Sequence, residues 1–319
     1  KNELDYANEI AKRLKTNHNP MYVSESQCLK EIENVVKCYD EPFSDPSAIP
    51  TFLLSKFAKS KITVAIAGDG ADELFGGYPR YKNMSSFWNK IRPYSSFLNY
   101  CFNDFAYSLS SSNSKHLRSI GKKVRKISHA SLDSLYLDEM SRWRPDENMY
   151  ERDCLLDADN AYLNSYKEGI SDYRYLMMRD VLSYLPSNLL VKTDRASMFH
   201  SLEIRSPFLD HNFVKLIWSL PDEFLCRNGN KSILRDILSE KFKGCISQRP
   251  KQGFEPPLNN WLNGALKDWA FDLIKTNDGL FDTKKLLQIY ENILKGEKKL
   301  TYKFWTIIML KAWKNYHLN

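Results

Sequence analysis

A run of β-branched and apolar residues, Ile62 to Ala67, ends abruptly in Gly68-Asp69-Gly70. A helix-forming stretch, Ala71 to Phe75, follows at once and meets Gly76-Gly77, which would stop it. A continuous apolar run of this kind suits a parallel strand buried on both faces. Upstream, Leu4, Ala7, Ile10, Ala11 and Leu14 recur at helical spacing, so residues 3 to 15 read as an amphipathic helix. Helices alternating with strands over residues 1 to 75 call for a parallel α/β sheet.

Met21 to Val23 is a short strand candidate, and Ser24 with Gln27 resembles a capping box. The helix it opens has Leu29, Ile32, Val35, Val36 and Tyr39 as its apolar face. Two prolines in segment 40 to 47 bar a regular helix or a central strand there. A further helix is predicted over 47 to 59, and residues 84 to 170 read as polar, aromatic and mostly helical. Helical pattern resumes over 171 to 200, interrupted by Pro186, and after Ser206-Pro207 continues through Trp218. More helices are predicted around 230 to 241, 257 to 275, 283 to 295 and 301 to 315. Two strands are too few for a parallel sheet, which needs neighbours and helical cover, so further strands are expected before Lys1.

Composition narrows the function classes. With 43% hydrophobic and 13% aromatic residues among 319, disorder is excluded, and a soluble, helix-rich fold is expected. No apolar run approaches the roughly 20 residues that span a bilayer, so no membrane association is expected. Twelve glycines are few against average usage, so no flexible linkers or Gly-rich repeats are expected. The net charge of +7 is partly gathered at Lys122, Lys123, Arg125 and Lys126, which reads as a solvated helix face. No nucleic-acid module accompanies it, and no nucleic-acid partner is expected. The six cysteines show no C-x-x-C and read as buried, reduced thiols, hence a cytoplasmic location. The chain begins with Lys1 and a helical pattern, so its start reads as a cut.

In an open parallel sheet, ligands sit beyond the carboxyl ends of the strands, where Gly68 to Glu73 falls. Glycines allow close approach to the backbone, and a helix N-terminus offers free N–H groups to an anion. Three carboxylates, Asp69, Asp72 and Glu73, would nonetheless repel a bare phosphate. Mg²⁺ resolves the conflict, since it is held by one or two carboxylates plus substrate phosphates. The alternative is an acidic helix start stabilised by its dipole.

The segment Val64-Ala-Ile-Ala-Gly-Asp-Gly-Ala-Asp-Glu-Leu-Phe-Gly-Gly-Tyr78 closely resembles the central signature of the asparagine synthetase family. So do Leu190-Val-Lys-Thr-Asp-Arg-Ala-Ser-Met198, Ser201-Leu-Glu-Ile-Arg-Ser-Pro-Phe-Leu-Asp210 and Arg249-Pro-Lys-Gln-Gly-Phe254. Asp40-Glu-Pro-Phe43 and Gly279-Leu-Phe-Asp282 match as well, in the family order. The resemblance implies an α/β fold with a parallel sheet of the adenine-nucleotide α-hydrolase (PP-loop ATPase) type. The sheet would be incomplete at its N-terminal side and carry extensive helical additions. It implies ATP-dependent amide synthesis: aspartate attacks the α-phosphate of ATP, and ammonia derived from glutamine displaces AMP from the acyl-adenylate. By that resemblance Ala67, Gly68 and Gly70 contact the nucleotide. Asp69 serves the acyl-adenylate step or ammonia attack, Asp72 binds Mg²⁺, and Lys251 stabilises charge developing on the phosphates. Glu73, Asp194 and Arg195 are candidate substrate contacts, with a buried structural ion pair the favoured reading of the last two. Glu203, Arg205 and Asp210 read as architectural, because buried charges need partners.

Two departures accompany the resemblance. Position 69 is often Glu in the family and here is Asp, and position 67 is often Ser and here is Ala. The family's Ser-Gly-Gly-x-Asp-Ser pyrophosphate loop and its N-terminal glutaminase domain are expected upstream of Lys1, so the 319 residues alone are expected to be inactive. Residues 1–83 are then part of the ATP-binding sheet region, 84–170 a mainly helical insertion and 171–319 the helical remainder of one synthetase domain. The resemblance leaves a homodimer open. Other readings are a related amidotransferase or cyclase acting on another carboxylate (a sugar acid, a β-lactam or macrolactam precursor), or a non-catalytic scaffold. Retained Asp69, Asp72 and Lys251 argue against the scaffold.

Overall fold

The structure, a computed structural model, describes residues 3–110, 114–143, 169–226, 230–242, 256–276 and 279–318. The chain opens with α1 (Glu3–Leu14), α2 (Glu25–Lys30), α3 (Ile32–Cys38) and α4 (Ala48–Lys59). Strand β1 (Val64–Ile66) leads into the one-turn helix α5 (Ala71–Leu74) and the longer α6 (Pro79–Ile91). Helices α7 (Ser95–Ser110) and α8 (Lys115–Ile127) form a hairpin, followed by α9 (Leu132–Met140). After α10 (Asp172–Arg179) comes a π-helical stretch, Asp180–Leu190, that runs into α11 (Val191–Met198). Strand β2 (Glu203–Arg205) precedes α12 (His211–Ser219), α13 (Asp222–Cys226) and α14 (Ser232–Lys241). The C-terminal helices are α15 (Leu258–Asn263), α16 (Lys267–Lys275), α17 (Thr283–Leu294) and α18 (Thr301–His317).

Local chemistry accounts for these elements. Ser24 and Gln27 make the reciprocal bonds of a capping box, satisfying backbone donors at the start of α2. Asp210 and Asp282 accept backbone N–H groups at the starts of α12 and α17 in the same way. Pro186 removes a backbone donor, and the wider turn of Asp180–Leu190 carries the chain past it.

The two strands pair in parallel, with Val64 opposite Glu203, Ala65 opposite Ile204 and Ile66 opposite Arg205. Helices α5 to α11 lie between them in sequence, so the pairing is a long crossover, as a parallel connection requires. The helices gather into two apolar cores. One gathers α2 to α4 with α15 to α18 around Phe52, Trp261, Phe304 and Trp305. The other gathers α5, α6, α9 and α10 around Leu74, Phe75, Tyr81 and Leu176.

Several expectations are corrected. Met21–Val23 is not a strand: it has no described strand to pair with, and Met21 and Val23 instead pack against the first core. Strand β1 is not buried on both faces, with Val64 39% and Ile66 78% exposed, because the described sheet gives it one neighbour and incomplete helical cover. The second strand is Glu203–Arg205, where Glu203 and Arg205 are exposed and pair with each other at 2.7 Å rather than being buried. Asp210 is exposed too, and serves as the cap of α12. The predicted helix over 257–275 is two helices broken at Gly264. Cys28 and Cys38 are buried thiols as expected, but Cys101 is exposed on α7, whose partner α8 covers one face of it. Among the described residues no helix is long and apolar enough to cross a membrane.

Candidate active site

The carboxyl end of β1 runs straight into the segment singled out by sequence. Ala67 extends the ladder by donating its N–H to the Arg205 carbonyl at 2.9 Å. Above Gly68 a Cβ would meet nothing within 4 Å, so the space over this backbone is open. Gly70 has φ +87°, a left-handed conformation, and a Cβ there would fall 2.3 Å from Leu209 Cδ2. Glycine is therefore favoured here by conformation, and a Cβ would also have to displace the Leu209 side chain. The helix that follows is a single turn and contributes little dipole at this corner.

Three carboxylates leave this turn in three directions. Asp69 is half-buried and accepts a long hydrogen bond, 3.5 Å, from the Ser206 hydroxyl at the end of β2. Burial pushes its carboxyl up, while the Lys192 ammonium and Ser206 oppose that rise. Asp72 forms an ion pair with Lys231, 2.9 Å from Oδ1 to Nζ. Glu73 points inward, 1% exposed, and accepts the Tyr78 hydroxyl at 2.8 Å. Burial pushes the Glu73 carboxyl up as well, against the Tyr78 bond.

Beneath the turn lies a second buried acid, Asp180. It accepts hydrogen bonds from Arg80 and Tyr81, and from Tyr136 at 2.7 Å. The Arg80 guanidinium also stacks on the Tyr78 ring, 3.9 Å from its centroid, tying the acid to the residue that holds Glu73.

On the other side of Asp69, Lys192 of α11 reaches Asp45 at 3.1 Å and the Ser47 hydroxyl at 2.9 Å. Burial works against the charge on Asp45, but Lys192 and Ser47 outweigh it and hold the carboxyl below its ordinary value. This fastens loop 40–47, whose prolines bar regular structure, to the helix facing the site.

Asp194 and Arg195 do form an ion pair, but it is exposed, not buried, and Arg195 also reaches Asp40 at 2.5 Å. Exposed pairs of this kind contribute little stability. Among the described residues, no contact joins them to Asp69 or Asp72. Lys251 lies outside the described residues. Sequence reasoning missed Lys192, Ser206, Asp180 and Lys231. Lys192 and Ser206 sit inside segments already noted for their resemblance, whereas Asp180 and Lys231 carry no signal of their own.

A family model described as asparagine synthase matches residues 1–315. The chain is 28% identical over 324 residues to the glutamine-hydrolyzing asparagine synthetase 1 of Bacillus subtilis (strain 168), covering 99% of this chain and 50% of that relative. It is 26% identical over 332 residues to a putative glutamine-hydrolyzing asparagine synthetase of Mycobacterium bovis, covering 98% and 48% respectively. A shorter match, 28% over 143 residues, reaches the glutamine-hydrolyzing asparagine synthetase of Mus musculus, covering 36% of this chain and 24% of that protein. The chain spans about half the length of the first two of these curated relatives.

Proposed function

The chain belongs to the asparagine synthase family, and from that premise we propose that it forms an amide bond through an acyl-adenylate, with aspartate as the acyl substrate. The observation that carries this reading is the corner at the carboxyl end of β1. There an open glycine backbone, a half-buried Asp69 and a cation-paired Asp72 stand together at a place where parallel sheets bind ligands.

In the proposed reaction a carboxylate oxygen of aspartate attacks the α-phosphorus of ATP. The bond to the bridging oxygen breaks, and pyrophosphate leaves with that electron pair. The nitrogen lone pair of ammonia then attacks the acyl carbon, AMP departs, and the surplus ammonia proton must be removed. Ala67, Gly68 and Gly70 lie along the nucleotide. Asp69 is suited to the second step, because a half-buried carboxylate with a raised proton affinity is a better base than an exposed one. Glu73 and Asp180 support the turn from inside. The outward pair Asp194–Arg195 braces loop 40–47, and Lys251 stabilises charge on the phosphates.

Mg²⁺ fits this donor set in one way. Among the described residues no group of three His, Cys, Asp or Glu side chains could hold a metal by itself. Asp72 offers one carboxylate, and the remaining ligands would come from phosphate oxygens and water, the usual arrangement for this ion. When bound, Mg²⁺ neutralises phosphate charge. The relatives named glutamine-hydrolyzing are about twice as long as this chain, which supports a glutaminase domain upstream as the ammonia source and a PP-loop sheet completed from the same side. A cytoplasmic location accords with this role.

The experiment is amide synthesis by the full-length gene product, followed by separation of nucleotides. AMP and pyrophosphate formed in step with asparagine support the proposal; ADP and phosphate refute it.

A further inference from the structure

Helix α7 is held firmly on one side and bare on the other. On its inner side Ala106 is fully buried and Leu98 packs against the second core. Asn99 donates to the Ser128 carbonyl at 2.7 Å. Helix α8 comes so close that a Cβ on Gly121 would fall 2.6 Å from the Ser110 backbone nitrogen. On the outer side Phe97 is 65% and Phe105 54% exposed, and Cys101 between them is exposed too. Residues four apart lie on one face of a helix, so these three form a single stripe. Exposed Tyr94 extends it and exposed Tyr100 borders it.

The stripe has the symmetry of a contact between two copies of itself. Phe97 and Phe105 stand four residues before and after Cys101. Two antiparallel α7 helices crossing there set Phe97 of each copy against Phe105 of the other, a self-complementary, isologous contact. Charge favours the same occupant. Asp104 is the one charged residue among the 16 of α7, and the crossing places it opposite Leu98, not opposite another acid. Helix α8, by contrast, carries six basic residues and no acid, so lipid headgroups or nucleic acid would be drawn there rather than to α7. Copies of a chain at +7 repel one another and meet most easily across a face as poor in charge as this one. Tyr94, Phe97, Tyr100 and Phe105 together leave roughly 500 Å² in water, taking about 200 Å² for each whole side chain. That is well over half of the roughly 800 Å² that each partner gives to a standard interface.

We propose that this face of α7 is the interface of a homodimer whose twofold axis passes at Cys101. The inference stands independently of the reaction proposed above. Phe97 and Phe105 are the central anchors, each ring packed against its counterpart across the axis. Cys101 marks the axis and forms no bond. Because the contact is apolar and the copies repel, added salt tightens this dimer, whereas it loosens a complex held by charge.

The test is sedimentation equilibrium of the full-length gene product, wild type against Phe97→Glu and Phe97→Leu, with thermal unfolding read on all three. Wild type is expected to be a dimer. Phe97→Glu occurs twice in each dimer and is expected to raise the dissociation constant roughly 100-fold or more, the scale of losing a central anchor on both sides. Its Tm as a monomer should stay that of a folded protein, and Phe97→Leu should weaken the dimer far less. A short bis-maleimide should link wild-type subunits in pairs and fail to do so in Cys101→Ser. A monomeric wild type would mean that another partner or segment covers the stripe, and would overturn the proposal. So would a dimer that survives Phe97→Glu, or cross-linking that survives Cys101→Ser, since either places the contact elsewhere.

Discussion

The Tyr78 hydroxyl donates to the Glu73 carboxylate at 2.8 Å, closing the glycine turn from beneath and aiming one of its three acids into the core. Both groups are largely withdrawn from water, and the bond is what makes a buried acid tolerable there. Tyr78→Phe removes the donor and is expected to destabilise the fold by about 1–3 kcal/mol. Urea unfolding of the variant beside wild type checks this.

Glu73 also gives a pH dependence with a definite sign. Burial raises its carboxyl above the ordinary 4.5, with Asp72 and Asp180 adding to the rise and Tyr78 opposing it. A folded state that holds its proton more tightly loses stability as pH rises through the folded pKa and keeps it below the unfolded one. Glu73→Gln stays neutral and can still accept from Tyr78. It should equal or exceed wild type in unfolding midpoint at neutral pH, and lose that advantage on acidification. A constant difference across pH would contradict the raised pKa.

Asp180 should be far more costly to lose than an exposed aspartate. It is fully buried, and its removal takes a shared acceptor from Arg80, Tyr81 and Tyr136, of which Tyr136 keeps the Ser183 hydroxyl within reach. Asp180→Ala is expected to destabilise by about 3–5 kcal/mol, read from chemical unfolding. A loss comparable with an exposed pair such as Asp194–Arg195 would show that the cluster carries little.

Much of the helical framework was legible in the sequence. Apolar spacing placed α1 within a residue of Glu3–Leu14, and Ser24 with Gln27 announced the capping box that opens α2. Strand β1 lay inside the apolar run that predicted it. Its partner did not stand out, because Glu203-Ile204-Arg205 is three residues with two charges, and parallel pairing joins segments far apart in sequence. Within the site, glycines and carboxylates could be read because their chemistry is local. Lys231 could not: its meaning depends on a left-handed backbone, a bond to Phe75 and the missing Cβ of Gly77. Asp180 was hidden likewise, as one polar residue in a helical stretch whose three donors come from α6 and α9.

Gly77→Ala separates function from stability. The atoms a Cβ would strike are the ends of the Asp72 and Lys231 side chains, which can swing aside while the backbone holds. The variant should unfold close to wild type yet lose amide synthesis by about 10²-fold, as expected when charged groups leave their working geometry. Full activity would show that the pair tolerates displacement.

Lys251 belongs to the segment Arg249 to Phe254 that resembles the family signature. If it stabilises charge developing on the phosphates, Lys251→Ala lowers kcat by about 10²-fold or more, the effect of losing one preorganised donor. A rise in KM with kcat unchanged would make it a uniform binding contact.

The central claim is that the corner after β1 is an adenylation site, with Asp72 presenting its carboxylate to the metal–phosphate unit. ATP–pyrophosphate exchange by the full-length gene product, wild type against Asp72→Asn, tests it most directly. The account predicts exchange that requires Mg²⁺ and aspartate in wild type, and its loss in Asp72→Asn while thermal unfolding shows the variant still folded. Near-normal exchange in folded Asp72→Asn would contradict the account.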